Sequence, residues 1–265
     1  MIRNDRKRLL IVIPVLNLFK EYTLLCLNSI KVNEQLYDYK ILIIDNNSDN
    51  VNRNLLKEYA EQNKDKIDVI FNFCNIGVAR SWNSGLLYAK EHNYDYVFII
   101  NNDVLFHPEC INNLIEQYNR AKEQDDKVIV AFAVSICKND NILARPEDIF
   151  SLNTDIRFRP SSRINDYSAF LVEPDIIEKV GMFDTNFYPA YFEDKDYDYR
   201  IKIGGYKFVR VMNALYYHYG SRTQKESIKN NVVCSSPVFE SLRRYYISKW
   251  GGMPGNETFN KPFNK

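Results

Sequence analysis

An α/β fold built on a mainly parallel sheet is what three features of this sequence predict. Short apolar runs at Leu9 to Ile13, Lys40 to Ile44, Val69 to Asn72 and Tyr96 to Ile100 lack polar alternation, as strands covered on both faces do. Between them apolar residues recur at helical spacing, so strand and helix alternate four times in a Rossmann-type layout. Each run then ends in polar residues: PVLN, DNNSDN, FCNIG and NND. Ligands of such sheets bind beyond the carboxyl ends of the strands, so these four termini are expected to converge on one crevice.

Taken in order, the first run follows a basic head. Pro14 interrupts it and no small-residue cleavage site follows, so it reads as a first strand. Leu24, Leu27 and Ile30 mark a first helix, Leu55, Leu56 and Tyr59 a second, and Leu86, Leu87 and Ala89 a third; Ile111, Leu114, Ile115 and Tyr118 follow the fourth strand. A further run, Val128 to Cys137, is far short of the roughly 20 residues that span a bilayer, and no transmembrane anchor is expected. From Lys138 to Asp166 the chain is polar, holds Pro146, Pro160, Arg145, Arg157, Arg159 and Arg163, and reads as a long loop. A second unit runs through YSAFLV, a helix from Asp175 to Val180, FEDKDYDYRIKIGGYKF and NALYYHYGSR, and closes with a helix from Phe239 to Trp250. The tail GGMPGNETFNKPFNK is expected to be loose.

Composition narrows the partners. Thirty-five Lys and Arg against 34 Asp and Glu leave a formal charge of +1, which argues against a nucleic-acid or polyanion partner and for local ligand recognition. The five cysteines, Cys26, Cys74, Cys110, Cys137 and Cys234, are odd in number without CxxC pairing. They read as buried free thiols in a reducing, cytosolic setting.

Five stretches carry chemistry. In DNNSDN, Ser48 and Asp49 suit a turn and helix cap, whereas the carboxylate of Asp45 can accept the imide N–H of uracil or thymine, or the N–H groups of guanine. In NIGVARSWNSGL, Gly77 serves either backbone geometry alone or a helix N-terminus that suits phosphate, with Arg80 one turn in. NND ends a strand with one acid, Asp103; it is either an Asx turn or a ligand for Mg²⁺ or Mn²⁺ beside a diphosphate. YFEDKD opens a helix with Glu193 and Asp194, which are either dipole-stabilising acids or, after the aromatic FYPAYF, partly desolvated candidates for a general base. His218, in YYHYG, can complete a metal shell with Asp103, while His92 and His107 read as packing or surface residues.

In this order VIPVLN, IIDNNSDN, NIGVARSWNSGL, IINNDV, YSAFLVEPDIIEKVGMFD, YFEDKDYDYRIKIGGYKF and YYHYGS resemble the family-2-type glycosyltransferases with the GT-A fold, in register from about Arg8 to Ser221. The resemblance is nearest to a rhamnosyltransferase-like branch that decorates cell-surface or capsule-type glycans. It implies one domain over 1–230, with a nucleotide-sugar half at about 1–136 and an acceptor and catalytic half at 137–230, followed by a C-terminal helix and tail at 231–265. It implies an inverting hexosyl or deoxyhexosyl transfer from a nucleoside-diphosphate sugar, UDP- or dTDP-linked by preference, to a glycan hydroxyl.

Carried over residue by residue, Pro14, Val15 and Asn17 would line the nucleoside pocket and Asp45 would read the base. Asn75, Gly77 and Arg80 would hold base, ribose or diphosphate, with Asn102 among the nucleotide-binding residues. Asp103 and His218 would bind Mn²⁺ or Mg²⁺. Asp194 would be the base, Glu193 would orient a sugar, and Asp196 with Arg200 would brace the helix. The first acid of the family's DXD motif is Asn101 here, which weakens the charge offered to the metal.

The protein is expected in the cytoplasm, with the inner membrane surface as one site of action. Tyr188, Tyr191, Tyr197 and Tyr199, with the arginine-bearing loop, are expected to form an acceptor cleft, and RRYYISKWGG to pack on the domain or on a second subunit. Two other readings use the same layout. A sugar-phosphate nucleotidyltransferase needs a Gly-rich basic loop after the first strand, which PVLNLFKEY lacks. A non-catalytic sugar-nucleotide or glycan-binding module has no chemical use for Asp194, Glu193 and His218 together.

Overall fold

In the computed structural model, which describes residues 6–136, 143–153, 165–220 and 236–265, the four predicted runs are strands. They are β1 (Lys7–Val15), β2 (Tyr37–Asp45), β3 (Ile67–Phe71) and β4 (Tyr96–Ile100). Helices α1 (Leu24–Ser29), α2 (Asn50–Gln62) and α3 (Val78–Glu91) connect them. Strands β1, β2 and β3 pair in parallel, as do β1 and β4, giving a 3-2-1-4 order whose direction of winding reverses between β1 and β4. Register puts Val15 opposite Asp45 and Asp45 opposite Phe71, so three strands end at one level.

The second half extends the same sheet but breaks its parallel run. Strands β5 (Val104–Phe106), β6 (Val128–Ile136), β7 (Ala169–Val172) and β8 (Lys207–His218) complete the order β3-β2-β1-β4-β7-β6-β8-β5. β7 lies antiparallel to β4 and β6, and β5 antiparallel to β8, so the sheet is mixed. Helix α4 (Cys110–Gln124) covers one face with Ile111, Leu114, Ile115 and Tyr118, the periodic set expected from sequence. On the other face Leu86, Ala89 and Trp82 of α3 pack on Leu10 and Val12. Gly85 lets α3 sit against β1: a Cβ there would lie 2.5 and 2.7 Å from the two γ-carbons of fully buried, β-branched Val12.

Helix α6 (Glu193–Ile203) follows the short α5 (Ile176–Lys179) and is tied to α7 (Ser236–Trp250) by buried charge. Lys249, 6% exposed, contacts Asp196 Oδ1 at 2.5 Å and Asp184 Oδ2 at 2.8 Å. Arg200 Nε meets the other oxygen of Asp196 at 2.9 Å, the expected brace, and the Trp250 indole N–H donates to Asp196 Oδ1.

Four expectations are corrected. The tail is not loose: Thr258 and Phe259 amides donate to Trp250 O, Tyr199 OH donates to Phe259 O, and Tyr246 OH donates to Glu257, because the end of α7 leaves carbonyls for the returning chain to cap. Tyr197 and Tyr199 are packing residues, since Tyr197 stacks on Phe183 with rings 3.9 Å apart and Tyr199 lies edge-on to Trp250. Arg145 serves its own turn, ion-paired to Asp148 at 3.1 Å. Cys74 is exposed, in the polar loop after β3, whereas Cys26 and Cys110 are buried free thiols as expected. Cys137, Cys234, Arg157, Arg159 and Arg163 lie outside the described residues.

Gly85→Ala is expected to lower stability by about 1–3 kcal/mol through overpacking against Val12, read as a fall in the urea midpoint at unchanged slope. Lys249→Met, which leaves two buried carboxylates short of a cation, is expected to cost about 3 kcal/mol or more in the same measurement.

Candidate active site at the strand ends

A cavity of about 320 Å³ opens where β1 and β4 end, the size of a small-ligand site. Pro14, Val15 and Leu16 form one wall, Asn101, Asn102 and Asp103 the opposite wall, and His218, Glu193 and Asp194 reach in from the second half. Asn75 and Gly77 line it as well. Of the twelve residues expected to act, nine therefore share one space.

The other three lie outside its lining. Asp45 is fully buried beneath it; Oδ1 accepts from the Ser48 amide, Oδ2 lies 3.8 Å from Arg53 Nε, and Oδ2 accepts no hydrogen bond. Asn17 is a loop staple: its amide donates to Ser48 Oγ and its Oδ1 accepts from the Asp49 amide. Arg80 is exposed on α3, away from the cavity. The first amides of that helix are also engaged, Val78 N–H by Pro189 O at 2.9 Å and Gly77 N–H by Asn75 Oδ1 at 2.9 Å. Gly77 has φ +81, and a Cβ there would lie 2.9 Å from Pro189 O, so glycine is required by geometry on both counts.

The three residues that end β4 divide their work. Asn101 donates its side-chain N–H to Ser168 Oγ, and Asn102 donates to Thr23 Oγ1, so both amides brace the cavity walls. Asp103 turns to His218, whose Nε2 lies 3.3 Å from Asp103 Oδ1. Antiparallel pairing of β5 with β8 places Val104 opposite His218, which is how residues 115 positions apart in sequence come to adjoin. Asp166 lies on the other side of the ring, with Oδ2 3.5 Å from Nδ1. Burial lowers the affinity of His218 for a proton, but hydrogen bonds and charge from Asp103 and Asp166 outweigh it and raise its pKa to about 10. Two carboxylates around one imidazole thus create a demand for positive charge.

That demand fits a divalent ion. Two ligands cis on an octahedral ion at about 2.1 Å are about 3.0 Å apart, close to the 3.3 Å between Asp103 Oδ1 and His218 Nε2. Among the described residues no group of three or more His, Cys, Asp or Glu is arranged to hold a metal; Asp103 and His218 could supply two ligands to one.

At the start of α6, Tyr191 (φ +88) and Phe192 (φ +71) take left-handed conformations and turn Glu193 and Asp194 toward the cavity. Glu193 is 6% exposed and its Oε2 accepts no hydrogen bond; burial, then the charge of Asp194, pushes its pKa up to about 8. Asp194 is more open and pairs with Lys195 Nζ at 3.0 Å.

Sequence reasoning missed Asn46, Trp82, Asp166, Tyr167 and Ser168 as cavity residues. Asn46 follows Asp45 directly and could have been found from the strand-end rule. Asp166 to Ser168 sit at the end of an aperiodic stretch, where only the antiparallel β4–β7 pairing, Ile100 opposite Ala169, reveals that they adjoin NND.

The family model described as Glycosyl transferase family 2 matches residues 10–191. A galactofuranosyl glycosyltransferase from Leishmania donovani is 29% identical, the match covering 74% of this chain and 55% of that protein, so the chain spans about half the length of this curated relative. Among solved structures, a mannosyltransferase from Pyrobaculum calidifontis, in complex with GDP-Man and Mn²⁺, superposes with a TM-score of 0.58 at 16% identity, over 89% of this chain and 68% of that one. GalNAc-T7 with UDP, GalNAc and Mn²⁺ gives 0.60 at 13% identity, over 81% of this chain and 44% of that one. These structures share the α/β mixed-sheet fold, and the match over most of its length establishes that this chain belongs to glycosyl transferase family 2.

Proposed function

We propose that the chain transfers a glycosyl group from a nucleoside-diphosphate sugar to a glycan hydroxyl, with inversion and with Mn²⁺ or Mg²⁺ held by Asp103 and His218. The observation that carries this reading is one cavity lined at once by β1 and β4 ends, by the Asp103–His218 pair and by the Glu193–Asp194 pair. UDP or dTDP is the favoured carrier on the strength of motif order; Asp45, fully buried outside the cavity lining, would have to be uncovered before its carboxylate could meet a base. The sugar is a hexose or deoxyhexose, within a rhamnosyltransferase-like branch on the strength of motif order. Galactofuranose is the first to test, given the curated relative.

The chain's own groups then have distinct tasks. Pro14, Val15, Asn75 and Gly77 shape the nucleoside end of the cavity, and Asn101 and Asn102 keep its walls at fixed separation. Asp194 takes the proton from the acceptor hydroxyl as that oxygen bonds to the anomeric carbon and the bond to the diphosphate breaks. Glu193 is the member of the acid pair that burial keeps protonated, so it can donate a hydrogen bond to a sugar oxygen while Asp194 accepts. A divalent ion, when bound, neutralises charge on the departing diphosphate.

A thermal-shift panel of UDP, dTDP, GDP and CDP, with and without Mn²⁺, tests donor use; UDP or dTDP with metal is expected to raise Tm, and no shift with any of them overturns the reading. Asp194→Asn is expected to keep that shift while kcat falls by ~10²–10⁴, and near-normal turnover would remove Asp194 as the base.

Glu193 adds a stability prediction. Its folded pKa lies above the unfolded value, so its contribution is full below about pH 4.5 and is lost as pH rises through about 8. Denaturation of wild type and Glu193→Gln across this range should show the difference moving steadily in favour of the Gln variant.

A further inference from the structure

We propose that Asp166 is a positioning residue that fixes the His218 tautomer, holding the proton on Nδ1 so that the Nε2 lone pair is presented beside Asp103. This rests on the reading of Asp103 and His218 as metal ligands. The geometry separates the two carboxylates by function. Asp103 Oδ1 is 3.3 Å from Nε2, and Asp166 Oδ2 is 3.5 Å from Nδ1. The ring nitrogens face different ways, so an ion seated between Asp103 and Nε2 has the ring between it and Asp166. A metal-bound imidazole whose other nitrogen donates to a carboxylate is oriented and made more basic by it.

Two further observations favour Asp166 as that carboxylate. Ser168 Oγ lies 3.4 Å from Nδ1 and 3.5 Å from Nε2, too even a placement to select a tautomer. Asp166 approaches the ring at Nδ1, and it is itself anchored, its Oδ1 accepting the Ser168 amide at 2.9 Å. At 3.5 Å the Nδ1 contact is at the outer limit of a hydrogen bond, and such contacts tighten in loaded sites.

The test is Mn²⁺ binding to the whole chain, read by electron paramagnetic resonance of the free ion, for wild type, Asp166→Ala, Asp166→Asn and His218→Ala, each checked for an unchanged fold by circular dichroism and Tm. Asp166→Ala is expected to weaken Mn²⁺ binding 10–100-fold, and Asp166→Asn, whose amide oxygen can still accept from Nδ1–H, to restore most of it. Nitrogen-15 NMR of the three histidines in the Mg²⁺-loaded protein should show His218 as the Nδ1–H tautomer in wild type and a mixture in Asp166→Ala.

If Asp166→Ala binds within twofold of wild type while His218→Ala loses binding, Asp166 has no positioning role and the metal reading stands. If wild type binds no Mn²⁺, or His218→Ala binds as wild type does, the metal reading falls and this inference with it. Should Asp166→Ala fail to fold, the NMR tautomer of wild type and Asp166→Asn decides: an Nε2–H tautomer in wild type overturns the proposal.

Discussion

Parallel register is the constraint on which the site depends. Pairing β1 with β2 and β2 with β3 puts Val15, Asp45 and Phe71 at one height, so three separate loops leave the sheet from a common edge. Nothing in those loops needs to be pre-shaped for a ligand until that register is set. The backbone bonds across the edge, Asn46 N–H to Val15 O and Asn72 N–H to Asp45 O, then carry the alignment one residue beyond the strands. Asn17 and Ser48 lock the first two loops together above it.

The reversal of direction after β4 does the complementary work. A purely parallel sheet would deliver more strand ends of the same kind. Antiparallel β7 instead delivers the residues that precede a strand, and the segment holding Asp166 and Ser168 arrives beside Asn101 to Asp103. Antiparallel β5 and β8 then bring His218 to Asp103. The cavity is a junction of the carboxyl ends of β1 and β4 with the residues before β7, the end of β8 and the start of α6. This geometry brings the strand-end amides, the Asp103–His218 pair and the Glu193–Asp194 pair into one place.

Much of this was legible in the sequence, for identifiable reasons. Unbroken apolar runs report strands buried on both faces, and the α4 set Ile111, Leu114, Ile115 and Tyr118 reports a helix with one covered side. Asp103, Glu193, Asp194 and His218 are named through motif order, since each also admits a structural use in a turn, a helix start or packing, and all four share the cavity lining. What could not be read depends on distant pairing. Arg80 looked well placed one turn into α3, but Pro189, more than a hundred residues away, occupies the amide at that helix start. Tyr197 and Tyr199 looked like a sugar-stacking surface, yet Phe183 and Trp250 cover them. The buried status of Lys249 follows from two aspartates on other elements, which no local pattern announces.

The antiparallel contact between β6 and β7 has an evolutionary consequence. Val130 to Phe132 and Phe170 to Val172 are paired, so the strands on either side of the long connection are fixed to each other. Closing a loop on such an anchor costs free energy that grows only with the logarithm of its length. A change of length in that connection is therefore cheap for the sheet provided that Asp166, Tyr167 and Ser168, which line the cavity, are kept.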